Sequence, residues 1–414
     1  MSSGAVKPLN NSQAPDTVEK ILRVAVQLNA SDIHLGSNNL HNNSPYLLRL
    51  RINGKLQEIE SSFLNSNYNE IIARIKVLSK MDITAHSIPQ DGKFFYNISN
   101  EDINFRVNIV PGINNIEEVC IRLVRNKGKE FTLDDMLMTE NMRKQVDLLI
   151  HQKSGIFILN GPAGQGKTTT IYSILKELSG PDTKIITAED PVEKEMPYVT
   201  HNQVSNKVSF ADLGRGFMRQ DADIIFIGEI RDEDSAQSAQ QLAQTGHLVL
   251  TTLHTRDSIG VIDRLQALDI DTNSIASTLI GSLAQRLVPA LCQECKVPHE
   301  YDQELLSHIN KILNIPNEVT LYKKGPGCNK CTQHLNQQVV SKGTKGVVPI
   351  FELFVVDNEM SELINLRKTK SELYQIAKTK GMLTLSQEAL LRFYHGFIEF
   401  DAIKSYIYTP TFNN

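Results

Sequence analysis

The chain has 414 residues, too many for one compact core and enough for two or three domains. Hydrophobic residues make up 41% and charged residues 22%, an ordinary globular balance. The formal net charge of -4 argues against bulk attraction to nucleic acid or anionic lipid. No apolar run approaches the roughly 18–20 residues needed to span a bilayer.

The first 16 residues are polar, rich in Asn, Ser and Pro, with no apolar signal core. They read as a disordered tail (1–16) on an unexported, cytoplasmic protein that meets membranes only through partners. Val18, Ile21, Leu22, Val24, Ala25 and Leu28 then recur at helical spacing. Tyr46–Ile52 alternates as a strand, Asn53-Gly54 makes a hairpin turn, and Leu56 lies on the return. Asn69–Ser79 reads as a helix, and Phe94–Ile98, Ile103–Val110 and Glu118–Val124 as strands. Residues 17–125 are therefore expected to form an α+β domain with an antiparallel sheet. The polar run Asn126–Glu130 marks a linker over 126–133.

A second domain is expected over 134–414. Its apolar strands Ile156–Leu159, Lys184–Thr187, Ile224–Ile227 and Leu248–Thr251 alternate with helical segments, the pattern of a parallel sheet covered on both faces. Residues 290–349 interrupt it with cysteine pairs, and 358–408 are mostly helical.

Gly161-Pro162-Ala163-Gly164-Gln165-Gly166-Lys167-Thr168 matches G-x-x-x-x-G-K-[ST], with a buried strand before it and a helix from Thr169 after it. Glycines let backbone N–H groups curl around phosphate oxygens, and the helix N-terminus adds partial positive charge. Lys167 suits the β- and γ-phosphates of ATP, and Thr168 suits Mg²⁺. Glu229 emerges at the carboxyl end of the strand Ile224–Ile227, placed to support Mg²⁺ through water. Glu189, Asp190 and Glu193 leave the sheet after Lys184–Thr187, and any of them could orient an attacking water; spacing does not choose. His247 and His254 flank the strand Leu248–Thr251 and suggest γ-phosphate sensing.

Cys292-Gln-Glu-Cys295 and Cys328-Asn-Lys-Cys331 are separated by 32 residues. Four thiolates suit one tetrahedral Zn²⁺ with a folding role, since no position is left open for chemistry. Cys120 sits alone in an apolar stretch and reads as core.

Together these segments resemble the secretion ATPases of type II secretion and type IV pilus assembly. Gly161–Thr168 matches their Walker A loop, Ala188–Glu193 their Asp box, Ile227–Asp232 their Walker B and Thr245–Thr255 their His box. Ala30–Leu35, Arg49–Gly54, Pro89–Lys93 and Gly381–Leu385 resemble further signature stretches. The resemblance implies a RecA-like core preceded by a PAS-like α+β domain, a hexameric assembly and an inner-membrane platform protein as partner. It implies that Glu193 is the catalytic carboxylate and Glu229 the metal support. It also implies that Arg106, Arg122, Arg215 and Arg219 bring guanidinium charge to the nucleotide, some across subunit boundaries. Arg215 and Arg219, four apart, share a face on a helix. Gly36 stands where many members have Glu, Gly214 and Gly216 flank Arg215 where helix formers are usual, and Ala222 replaces the usual Pro. The tetracysteine module follows Gln285-Arg286-Leu287, as in assembly members; the chain length is nearer that of retraction members. A RecA-like nucleic-acid translocase would share the core, but the sequence has no aromatic-plus-basic binding segment.

Overall fold

The computed structural model describes residues 14–37, 46–59, 64–113, 116–125, 131–205, 207–313, 319–335 and 338–407. Most of the expected tail (1–16) and linker (126–133) lies outside them. The chain divides into two units. One holds Met1–Lys129 with Pro289–Pro298 and Tyr322–Val347; the other holds Glu130–Val288, His299–Leu321 and Val348–Asn414. This division groups the cysteine-bearing segments with the N-terminal residues, whereas the sequence reading places 290–349 within 134–414.

The first unit is a six-stranded sheet with two helices on one face. Its elements are α1 (Ala14–Gln27), β1 (Ala30–Ser37), β2 (Tyr46–Ile52), β3 (Lys55–Ile59), α2 (Tyr68–Leu78), β4 (Gln90–Ile98), β5 (Glu101–Pro111) and β6 (Glu117–Arg125). The order is β3-β2-β1-β6-β5-β4, and every neighbouring pair is antiparallel. Alternation decides the faces. Ile33, Leu35, Leu48, Leu50, Phe105, Val107, Ile109, Val119 and Ile121 pack against Leu22, Ala25, Ile71 and Ile75 of the helices. Gly36 has a local reason. A Cβ there would sit 1.6 Å from Glu118 Oε2, and Glu118 folds over β1 to accept hydrogen bonds from the N–H and hydroxyl of Ser37, both 2.8 Å.

The second unit contributes α3 (Glu140–Ile150), β7 (Gly155–Asn160), α4 (Lys167–Leu178), β8 (Ile185–Glu189), β9 (Val199–Gln203), α5 (Phe210–Phe217), β10 (Ile224–Ile227), α6 (Glu233–Gln244), β11 (Leu248–Leu253), α7 (Gly260–Gln266), α8 (Thr272–Thr278) and β12 (Leu279–Leu291). Further along the chain, β13 (Val297–Pro298), β14 (Tyr322–Lys323), β15 (Gln333–Leu335) and β16 (Gln338–Ser341) fall in segments grouped with the first unit, whereas α9 (Gln303–Leu313), most of β17 (Thr344–Val355), α10 (Asn358–Asn365), α11 (Lys370–Thr379), α12 (Leu385–Tyr394) and α13 (Phe400–Ile407) belong to the second. The main sheet has the order β17-β12-β7-β11-β10-β8-β9, and the pairs from β12 to β9 are parallel. Each central strand is buried on both faces. Ile156 and Ile158 enter one core with α5, α6 and α8; Phe157 and Leu159 enter another with α3 and α4. The α/β fold with a parallel sheet, preceded by a smaller α+β layer, matches the sequence expectation.

Candidate functional site

β7 ends at Asn160, whose amide donates to Ser282 Oγ of β12 at 2.6 Å. The chain then turns through Gly161–Gly166 into α4. Gly161, Gly164 and Gly166 have φ of 147°, 74° and 78°, a region a Cβ disfavours. A Cβ at Gly161 would also lie 2.6 Å from the Gln285 carbonyl oxygen. β12 braces this cradle. Gln165 Oε1 accepts from the Leu287 N–H at 2.7 Å, and Thr170 Oγ1 donates to Gln285 Oε1 at 2.8 Å. Gly166 gives α4 no side-chain cap, so N–H groups of its first turn, around Lys167, Thr168 and Thr169, are left for an anion.

Lys167 is only 8% exposed. Its ammonium donates to the carbonyls of Gly161 at 2.6 Å and Pro162 at 3.1 Å and lies 3.5 Å from His254 Nδ1. Burial pulls the amine down to about 8; Glu229 opposes the shift and Arg286 adds to it. A desolvated ammonium inside a glycine cradle fits a polyphosphate.

Glu229 follows β10 and meets Arg231 Nε at 2.5 Å and His254 Nε2 at 3.5 Å. Arg231 also reaches Asp190 at 3.3 Å and lies 5.7 Å over the Phe210 ring. Lys167, Glu229, His254, Arg231 and Asp190 thus meet at the carboxyl ends of β7, β8, β10 and β11, where ligands of such sheets bind.

Of the three carboxylates at and beyond the end of β8, Glu189 is committed to the interior. It is 3% exposed, accepts from Tyr172 Oη at 2.5 Å and Thr187 Oγ1 at 2.6 Å, and meets His201 Nδ1 at 2.8 Å. Asp190 pairs with Arg231. Glu193 lies on the following segment, its N–H donated to the Tyr172 hydroxyl oxygen at 3.2 Å.

His247 and His254 are not brought together. β11 begins at Leu248, so His247 stands at its amino end, roughly 20 Å along the strand from His254. Its Nδ1 lies 2.9 Å from the Leu242 carbonyl at the end of α6. Within this chain His247 does not join the phosphate-loop cluster. Arg215 and Arg219 do not share a helix either, because α5 ends at Phe217 and Arg219 lies in the turn beyond it. Arg215 pairs with Asp212 at 2.5 Å. The glycine before it packs closely on α6: a Cβ at Gly214 would sit 2.0 Å from Ser238 Oγ, so the serine side chain would have to move.

In the first unit Arg106 and Arg122 are directly opposite each other across β5 and β6. They stand in one row with Asp32 of β1, on the sheet face away from the helices. Arg122 Nε donates to Asp32 Oδ1 at 2.9 Å, and Arg51 Nε approaches Oδ2 at 3.7 Å.

The four paired cysteines converge. Their sulfurs all lie within 4.8 Å of one another, with Cys292–Cys328 at 3.8 Å, Cys295–Cys331 at 3.6 Å and Cys328–Cys331 at 3.7 Å. A tetrahedron of thiolates about 2.3 Å from a central Zn²⁺ has edges of about 3.8 Å; a disulfide would need about 2.05 Å. The N–H groups of Cys328 and Gly343 point at the Cys331 sulfur, at 3.4 and 3.3 Å, and would support a thiolate there. The donor set fits zinc.

Sequence reasoning passed over Tyr172, Arg231 and Arg286. Arg286 is 9% exposed, donates to the Gln285 carbonyl at 2.7 Å and also reaches the Arg256 carbonyl. The only available signal was proximity to a motif: Tyr172 on the helix after the loop, Arg231 two residues past Glu229, Arg286 in the stretch preceding the cysteines.

The family model described as Type II/IV secretion system protein matches residues 10–405. The chain belongs to this family. It is 35% identical over 390 residues to the type IV pilus assembly ATPase PilB of Thermus thermophilus, covering 94% of this chain and 42% of that protein. It is 35% identical over 372 residues to the type II secretion system protein E of Pseudomonas aeruginosa, covering 88% of this chain and 70% of that one. The X-ray structure of the Legionella pneumophila ATPase DotB superposes with a TM-score of 0.66 at 21% identity, covering 97% of each chain, and shows the shared fold. Its relatives thus include proteins of both pilus assembly and type II secretion.

Proposed function

We propose that this chain is the ATP-hydrolysing motor of a pilus, pseudopilus or protein-secretion assembly. The observation that carries the reading is the convergence of a desolvated Lys167 in its glycine cradle with Glu229 and His254. Without an anion, Lys167 turns back onto loop carbonyls. With ATP bound, it moves onto the β- and γ-phosphates beside the N–H groups of α4. The Thr168 hydroxyl, and Glu229 through water, would hold Mg²⁺, which neutralises charge shared by the β- and γ-phosphates when bound. Glu193 orients a water in line with the γ-phosphorus. The new P–O bond forms as the bond to ADP breaks, and the water's proton is drawn towards the Glu193 carboxylate. Arg106, Arg122, Arg215 and Arg219 supply guanidinium charge to the γ-oxygens, some from a neighbouring subunit. His254 senses the γ-phosphate, and His247 acts only where another copy approaches it.

The working form is a homohexamer on the cytoplasmic side of the inner membrane, acting on a platform protein and not on nucleic acid. Among the described residues no helix is long and apolar enough to cross a membrane. Zn²⁺ on Cys292, Cys295, Cys328 and Cys331 holds their module together. Deletion of the gene tests the biological role. Loss of surface pili or of a secreted protein, restored by the wild-type chain but not by Lys167→Ala, is expected. Hyperpiliation would contradict assembly and point to retraction.

A further inference from the structure

Glu193 lies on a segment without helix or strand, between β8 and β9. A water-orienting carboxylate needs a fixed position, because a misplacement of about 1 Å costs roughly 100-fold in rate. Tyr172 and His201 both hold this segment. The Tyr172 hydroxyl donates its one proton to Glu189 Oε2 at 2.5 Å. Its lone pairs accept the backbone N–H groups of Glu193 at 3.2 Å and Lys194 at 3.3 Å. Further along, the Met196 N–H donates to His201 Nε2 at 3.1 Å. That bond makes Nε2 the acceptor, so Nδ1 carries the proton and donates to Glu189 Oε1 at 2.8 Å. Thr187 Oγ1 donates to the same oxygen at 2.6 Å. Glu189 is thus the common anchor of the two side chains that grip the segment at Glu193–Lys194 and at Met196.

Tyr172 is also on α4, the helix that starts at Lys167. The element that binds phosphate therefore carries the hydroxyl that fixes the backbone of the water-orienting residue. We infer that Tyr172, with the Glu189–His201 pair behind it, is a positioning residue for Glu193. This inference rests on the assignment of Glu193 made above. It gives the two carboxylates different work: Glu193 orients water, and Glu189 orients the groups that hold Glu193 in place.

The test measures ATP turnover by the purified full chain for the wild type, Tyr172→Phe, His201→Phe, Glu193→Gln and the Tyr172→Phe/Glu193→Gln double variant. Affinity for a fluorescent ATP analogue is measured on each. Tyr172→Phe keeps the ring and loses the hydroxyl; it is expected to lower kcat roughly 10- to 100-fold while KM and analogue affinity stay within about 2-fold. His201→Phe, which releases the Met196 end, is expected to lower kcat in the same sense. In the Glu193→Gln background Tyr172→Phe should cost less than about 3-fold more, because both changes disable one function. The inference is overturned if Glu193→Gln is inactive while both single positioning variants turn over at the wild-type kcat. An undiminished loss in the double variant overturns it equally, since Tyr172 would then act elsewhere. Wild-type turnover by Glu193→Gln instead removes the assignment of Glu193 and the inference with it.

Discussion

The Lys167 ammonium and the His254 ring stand 3.5 Å apart, Nζ to Nδ1, beside the phosphate loop. The other ring nitrogen lies 3.5 Å from Glu229 Oε2. One imidazole therefore touches both the group suited to phosphate and the group suited to metal. A change of charge at the γ-phosphate would alter both neighbours at once. Of the two histidines that flank β11, this geometry gives the position to His254.

The burial of Lys167 predicts a pH signature for ATP binding. In the free chain its amine loses its proton as pH rises through about 8. A bound triphosphate restores the charged form. Binding at pH 8.5 should take up a proton, binding at pH 6.5 should not, and affinity should fall above about pH 8, by at most roughly 10-fold per pH unit. Calorimetry in two buffers of different ionisation enthalpy reads the uptake, and equal heats at pH 8.5 would contradict it. The sign for stability is the reverse. An unfolded lysine keeps its proton to about 10.4, so between about 8 and 10 the unfolded state holds more protons. This group therefore makes the nucleotide-free chain more stable as pH rises through that window.

The tetracysteine cluster predicts about one zinc ion per chain, bound without an open coordination site. Elemental analysis of the purified protein checks the stoichiometry. Cys292→Ser should bring zinc close to zero and lower the melting temperature, and a strong chelator should do the same to the wild type. Chelation that removes zinc without shifting the melting transition would contradict the structural role.

Lys76 on α2 is fully buried and faces Glu117 Oε1 at 2.7 Å, in an ion pair whose angle falls outside hydrogen-bond geometry; it also donates to the Ala85 carbonyl at 2.8 Å. Glu117→Ala leaves that ammonium uncompensated and should cost about 3–5 kcal/mol. Lys76→Met/Glu117→Gln, which removes both charges, should recover most of the loss. Urea unfolding of the three proteins checks the order.

How far the sequence revealed this depended on where each element finds its partners. β2, β4 to β8, β10 and β11 have runs of apolar or alternating residues, and their signal is local. β1 was legible only as a motif. Its Asp32 is buried beside Arg122 and Arg51, and its Gly36 lies under Glu118, so the partners that settle it are distant in sequence. β12 carries Gly281, Ser282, Gln285 and Arg286 in the interior. Their partners Asn160, Thr170 and Arg256 lie elsewhere in the chain, and no periodicity announces them. At the site, the loop and the two cysteine pairs were plain because their chemistry demands fixed spacing. The difference between Glu189 and Glu193 was not, because only the third dimension brings the Tyr172 hydroxyl and the His201 ring to the carboxylate of Glu189. The helical pairing of Arg215 and Arg219 failed for a related reason. Gly214 and Gly216 weaken the helix, and α5 stops before Arg219.

The central claim is that this chain hydrolyses ATP with Lys167 holding phosphate and Glu193 orienting water. It is tested most directly by ATP turnover of the purified chain beside Lys167→Ala and Glu193→Gln, with nucleotide binding measured on the same samples. The expected result is Mg²⁺-dependent turnover by the wild type and loss of both binding and turnover in Lys167→Ala. Glu193→Gln should keep its affinity for ATP while kcat falls about 100-fold or more. Turnover by Glu193→Gln at the wild-type rate, or hydrolysis that survives Lys167→Ala, would contradict the account.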